Sequence, residues 1–115
     1  MPLGLQIQME EIEKKVVARI EGRIDAASAP TLEKRLMQLI NENHTDILVD
    51  FAQVDYLSSA GMRVLLATTK KLRAEKGSLI LFSLHDDVAQ IIRMAGLDKI
   101  LLICQNERAA LQFGK

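Results

Sequence analysis

The spacing of hydrophobic and polar positions changes several times along the chain, and each change marks an element. Leu5-Gln6-Ile7-Gln8-Met9-Glu10 alternates apolar and polar residues, the pattern of a strand with one face in water. Val16 to Ile24 repeats it, with Val16, Ala18, Ile20 and Ile24 on one side and Arg19, Glu21 and Arg23 on the other. The charged stretch Glu11 to Lys15 is predicted as the turn of an antiparallel hairpin, although it lacks the Asn-Gly or Gly-Gly pair that favours tight turns. The period then becomes helical: Leu32, Leu36, Leu39 and Ile40 share a face, Ser28 is placed as N-cap, and Pro30 suits the first turn.

Ile47-Leu48-Val49-Asp50-Phe51 is a nearly continuous apolar run, as in a strand buried on both faces. A second helix is predicted with Met62, Leu65, Leu66, Thr69 and Leu72 inward. It ends in basic residues that complement the helix dipole and stops at Gly77. Ser78 to Ser83 is the next strand. Asp86 and Asp87 open a third helix, with Val88, Ile91, Ile92 and Ala95 inward and Gly96 at its end. Ile100 to Cys104 is the last strand, with Cys104 read as a small core residue, and a short helix covers Asn106 to Phe113. The order ββαβαβαβα predicts one α/β domain over residues 1–115: a mixed sheet, parallel after the hairpin, with helices mainly on one face.

Composition narrows the function. Lys and Arg number 15 and Asp and Glu 15, so there is no excess positive field to hold nucleic acid or anionic lipid. Only 3% of residues are aromatic, which removes stacking platforms for single strands. One cysteine excludes an internal disulfide and a cysteine-rich metal site, and no cofactor-binding motif is present. The N-terminal residues do not resemble a signal peptide, and no apolar run is long enough to cross a bilayer. A cytoplasmic protein, neither inserted in a membrane nor bound directly to nucleic acid, is the expectation.

The sharpest local feature is Val54-Asp55-Tyr56-Leu57-Ser58-Ser59-Ala60-Gly61-Met62, read as the passage from a buried strand into a helix. Two hydroxyls there lie beside the open N–H groups and the positive end of the helix dipole, a position that favours negative charge. One of them also serves naturally as an N-cap. A serine nucleophile needs a base, and His44 and His85, the only histidines, both fall in loops; the Gly-x-Ser-x-Gly pattern of hydrolases is missing. Catalysis by this chain is therefore not expected. Asp25, in Gly22-Arg23-Ile24-Asp25-Ala26-Ala27-Ser28, either closes a turn or joins the serines on one surface.

Tyr56-Leu57-Ser58-Ser59-Ala60-Gly61-Met62-Arg63-Val64-Leu65-Leu66, the Gly22-Arg23-Ile24-Asp25 turn and the element order together resemble a STAS domain, more narrowly the bacterial anti-sigma factor antagonists. The resemblance runs from about Leu5 to Phe113. It implies a binding switch without catalysis of its own, whose acceptor serine stands two residues before the glycine of the helix start. That position is Ser59, with Ser58 as runner-up; many family members carry an acidic residue where this chain has Ser58. It further implies an anti-sigma factor serine kinase as partner, bound when Ser59 is unphosphorylated so that the sigma factor is released, and a metal-dependent serine phosphatase that resets the switch. The contact surface is expected to include Asp25, Ser28, Asp55, Ser58, Ser59, Gly61 and Met62. The same fold also serves as a regulatory subunit elsewhere, in phosphatase-linked signalling or lipid-transport ABC systems; that alternative stays open at this point.

Overall fold

In the computed structural model, β1 (Gln6–Ile12) and β2 (Lys15–Ile24) form the antiparallel hairpin. Residues 4–113 are described; Met1 to Leu3 and Gly114 to Lys115, the ends of the expected domain, lie outside them. The turn is shorter than the charged stretch suggested: only Glu13 and Lys14 bridge the strands, both left-handed at φ 52° and 73°. Paired positive φ values give the turn the right-handed twist a two-residue hairpin needs, here without glycine.

The chain then alternates through α1 (Ala29–Asn41), β3 (Asp46–Leu57), α2 (Ser59–Ala74), β4 (Ser78–Phe82), α3 (Asp86–Met94), β5 (Leu102–Cys104) and α4 (Glu107–Gln112). The sheet order is β1-β2-β3-β4-β5, with every pair after the hairpin parallel. Each parallel crossover steps in the same direction along the sheet. Because such crossovers are right-handed, α1, α2 and α3 all land on one face. Their Leu32, Leu36, Leu65, Leu72, Val88 and Ile92 meet Ile20, Ile24, Phe51, Val54 and Leu57 of the sheet in the main core.

The short α4 covers part of the other face, where Ala110 packs on Val17, Leu48, Ile80 and Phe82. Polar contacts hold both of its ends. Arg19 of β2 donates to Glu107 at 2.8 and 3.2 Å while also pairing with Asp50 at 2.9 Å and Glu10 at 2.8 Å, and Lys15 donates to the Leu111 carbonyl at 3.0 Å. These bonds hold the Glu107 carboxyl below its ordinary range, the Arg19 hydrogen bond being the main cause, and push the guanidinium further toward its charged form.

Several expectations need correction. β3 continues through Val54 and Asp55 to Leu57, so both residues belong to the strand and not to the passage into the helix. On α2, Met62 and Leu66 are half-buried, whereas Val64 and Thr68 are buried, because this helix packs against α1 as well as the sheet. Ala95, expected inward, is exposed as the C-cap of α3. The last strand starts two residues later than expected, after a 3-10 turn at Leu97–Lys99. Cys104 is half-buried instead of core, since β5 is a three-residue edge strand; partial burial pushes its thiol pKa up.

Candidate functional site

The ends of β2 and β3 lie side by side, with Ile24 paired to Leu57 and the Ser58 N–H donating to the Ile24 carbonyl at 2.8 Å. Directly beyond this pair α2 begins. Ser58 is the N-cap in extended conformation, and its hydroxyl accepts the Gly61 N–H at 3.1 Å. Its carbonyl accepts the Met62 N–H at 2.9 Å. Ser58 is thus half-buried and engaged with its own helix. Ser59, the first helical residue, is exposed. That position is at the positive end of the helix dipole, beside the open N–H groups of the first turn.

Gly61 allows this placement. It is buried, and a Cβ there would lie 2.5 Å from Ile24 Cγ2 and 2.7 Å from Leu57 Cδ1. Only a residue without a side chain lets the first turn of α2 rest on the strand ends. The chain therefore uses Gly61 to seat the helix, and Gly61 offers a partner no side chain.

Asp25 and Ser28 build the neighbouring turn. Asp25 Oδ1 accepts the N–H groups of Ala27 at 3.0 Å and Ser28 at 2.9 Å, closing an Asx turn. The Ser28 bond above all, with the Ala27 bond and the charge of Arg23, holds the Asp25 carboxyl below its ordinary range. Ser28 occupies the N-cap position of α1, but its hydroxyl does not cap the helix: it accepts from the Asp25 N–H at 2.9 Å and donates to the Arg23 carbonyl at 2.7 Å. No helix-start amide is left for it: the Ala29 N–H goes to the Asp25 carbonyl, Pro30 has none, and the Thr31 N–H goes to the Ser28 carbonyl. Ser28 is 8% exposed, and its expected place on the contact surface is corrected accordingly. Asp55 is exposed near the end of β3, and Met62 is half-buried in the first turn of α2.

Two features went unanticipated. A groove of about 370 Å³ runs between the N-terminal turns of α1 and α2, floored by Ala29, Pro30, Ala60 and Val64 and flanked by Glu33 and Arg63. The spacing of Ala60, Val64 and Ala67 along one helix face was its signal in the sequence. On the other sheet face Arg23 stacks over Tyr56 with 4.4 Å from its guanidinium carbon to the ring centroid, the two being register partners of β2 and β3.

The chemistry available is that of an exposed hydroxyl on a rigid helix start. No hydrogen bond among the described residues joins either serine to a histidine. His85 Nε2 lies 2.7 Å from the Ala52 carbonyl, and His44 lies 4.0 Å from Glu42 at the opposite end of β3. No three metal-ligating side chains gather among the described residues, and no helix there is long and apolar enough to cross a membrane.

Comparison with known proteins agrees with this architecture. The STAS domain family matches residues 6–110. The anti-sigma-B factor antagonist of Bacillus subtilis is 27% identical over 96% of this chain and 100% of its own length. The crystal structure of an anti-sigma factor antagonist from Mycobacterium paratuberculosis superposes with a TM-score of 0.87 at 24% identity, covering 96% of this chain and 94% of that one. The phosphorylated form of the Bacillus cell fate determinant SpoIIAA has the same fold, with a TM-score of 0.69 at 22% identity over 90% of this chain and 96% of its own. The chain belongs to the STAS domain family.

Proposed function

We propose that this protein is an anti-sigma factor antagonist, a binding switch set by phosphorylation of Ser59. The observation that carries the reading is the division of labour between adjacent serines: Ser58 is engaged as N-cap, and Ser59 is exposed at the first helical position. A kinase reaches Ser59 without unfolding the helix. The partner is the anti-sigma factor, itself a serine kinase. It docks over Ser59, Met62 and the adjoining groove between α1 and α2, and the sigma factor is released. A metal-dependent phosphatase returns the switch to its binding form.

The physics favours an interfacial mechanism. A phosphoserine carries roughly −1.5 to −2 charge at neutral pH. At the start of α2 it meets the favourable end of the dipole, and Arg63 lies one turn further on, the spacing at which helix side chains interact. The scaffold therefore tolerates the charge. An interface that must desolvate the dianion does not.

Incubation with anti-sigma factor kinases and ATP, followed by mass-spectrometric site mapping, tests the assignment. Modification at Ser59 is the expected result. Exclusive modification at Ser58, or none at either serine, overturns it.

A further inference from the structure

β1 is an outer strand of the sheet and, among the described residues, pairs only with β2. The hairpin turn has two residues, so Ile12 and Lys15 on either side of it bond to each other. Hydrogen-bonded pairs then recur at every second position: Glu10 with Val17, Gln8 with Arg19 and Gln6 with Glu21. The backbone N–H and C=O groups of Ile7, Met9 and Glu11 therefore point away from the sheet. The Arg35 guanidinium meets one of them, donating to the Ile7 carbonyl at 3.3 Å. The Ile7 and Met9 side chains rest half-buried against the main core, whereas Gln6, Gln8 and Glu10 stand exposed on the opposite face. Seven residues of extended backbone without proline or glycine form a template for another strand.

We propose that β1 pairs antiparallel with β1 of a second copy, about a two-fold axis at Gln8, so that two sheets join into one. Side-chain chemistry selects this register. Only the odd-numbered residues carry free backbone groups, so an odd residue must face an odd one. With Gln8 on the axis, Ile7 lies opposite Met9 of the second copy, and these half-buried side chains cover each other. On the other face the two Gln8 side chains meet, and Gln6 faces Glu10, whose charge Arg19 of its own chain already balances at 2.8 Å. Arg35 exchanges the Ile7 carbonyl for a carboxylate, because Glu11 of the second copy stands diagonal to Ile7. An axis at Ile7 shortens the paired stretch to Gln6–Gln8, one at Met9 sets Ile7 against Glu11, and one at Glu10 sets two carboxylates face to face. The axis stands perpendicular to the sheet, so the two α2 starts lie at opposite ends of the joined sheet and the pairing leaves both open.

The test uses the unphosphorylated chain alone, so its outcome is independent of Ser59 being the acceptor. A strip this narrow buries less than the roughly 1,200 Å² of stable interfaces, so a transient dimer is expected, and sedimentation velocity follows it up to about 1 mM chain. Amide shifts that change with concentration should centre on Ile7, Met9 and Glu11. Gln8 is exposed, and its replacement leaves the core intact. Gln8→Lys and Gln8→Glu, each alone and each shown by melts to be folded, set like charges directly opposite and should weaken association about fivefold. An equimolar mixture of the two should form a heterodimer at least as tight as the parent. A parent that stays monomeric at the highest concentration, shifts confined to other segments, single variants that associate as the parent does, or a mixture no tighter than either variant alone would each overturn the proposal.

Discussion

Replacing Gly61 by alanine sets two effects of opposite sign against each other. Alanine is the better helix former by about 1 kcal/mol in a helix interior, less in the first turn where Gly61 sits. Against this, its Cβ falls 2.5 Å from Ile24 Cγ2 and 2.7 Å from Leu57 Cδ1. Carbon atoms pack at about 3.5–4.0 Å, so the overlap is close to 1 Å on both contacts. Neither neighbour can swing into solvent, as Ile24 is 0% and Leu57 1% exposed. Overpacking of this kind costs about 1–3 kcal/mol. The clash wins, and Gly61→Ala is expected to destabilise by about 1–2 kcal/mol, lowering Tm by roughly 5–10 °C for a domain of this size. Gly61→Val should be worse. Gly4→Ala, where an added Cβ meets nothing within 4 Å, is the control and should stay within about 0.5 kcal/mol of the parent. Thermal and urea melts decide. A Gly61→Ala protein as stable as the parent, or more so, would refute the close-seating argument for the start of α2.

Other expectations are read by the same melts. Arg19→Ala leaves Glu10, Asp50 and Glu107 without their shared cation, and a loss of about 1–2 kcal/mol is expected after solvent screening. Glu107 has its carboxyl pKa held down in the folded state, so its contribution is complete above the ordinary carboxylate range and is lost as pH falls through the folded value; Glu107→Gln should flatten stability against pH below about 4.5. Thr69 is 1% exposed with no hydrogen bond to its hydroxyl, and Thr69→Val should stabilise by roughly 1 kcal/mol. Ser58→Ala removes the N-cap bond and should cost about 1 kcal/mol while leaving Ser59 available to a kinase.

Much of this fold was legible because most elements obey a single period. The helical spacing of Leu32, Leu36 and Leu39 and the apolar run of Leu79 to Phe82 each admit one reading, and both are buried as that reading requires. The outer half of β3 was not legible, for a physical reason. Two register shifts against β2 place extra residues in β3, so Phe51, Val54 and Leu57 all reach the core at intervals of three. That spacing does not read as a strand. At the site, Ser58, Ser59 and Gly61 stood out by type and position, but which serine caps the helix depends on where β3 ends. Ser28 stands at the N-cap position, but Pro30 offers no N–H and the Ala29 and Thr31 amides go to backbone carbonyls, so its hydroxyl serves the Arg23–Asp25 turn instead, an outcome that only the folded turn decides.

In the proposed switch, charge on Ser59 controls docking while the scaffold stays unchanged. Its most direct test is the affinity of the anti-sigma factor kinase for this protein, measured by titration calorimetry with the Ser59-phosphorylated and unmodified forms side by side. Phosphorylation is expected to weaken binding by a factor of several hundred, about 3–4 kcal/mol, in a protein that remains folded. Equal affinity of the two forms would contradict it.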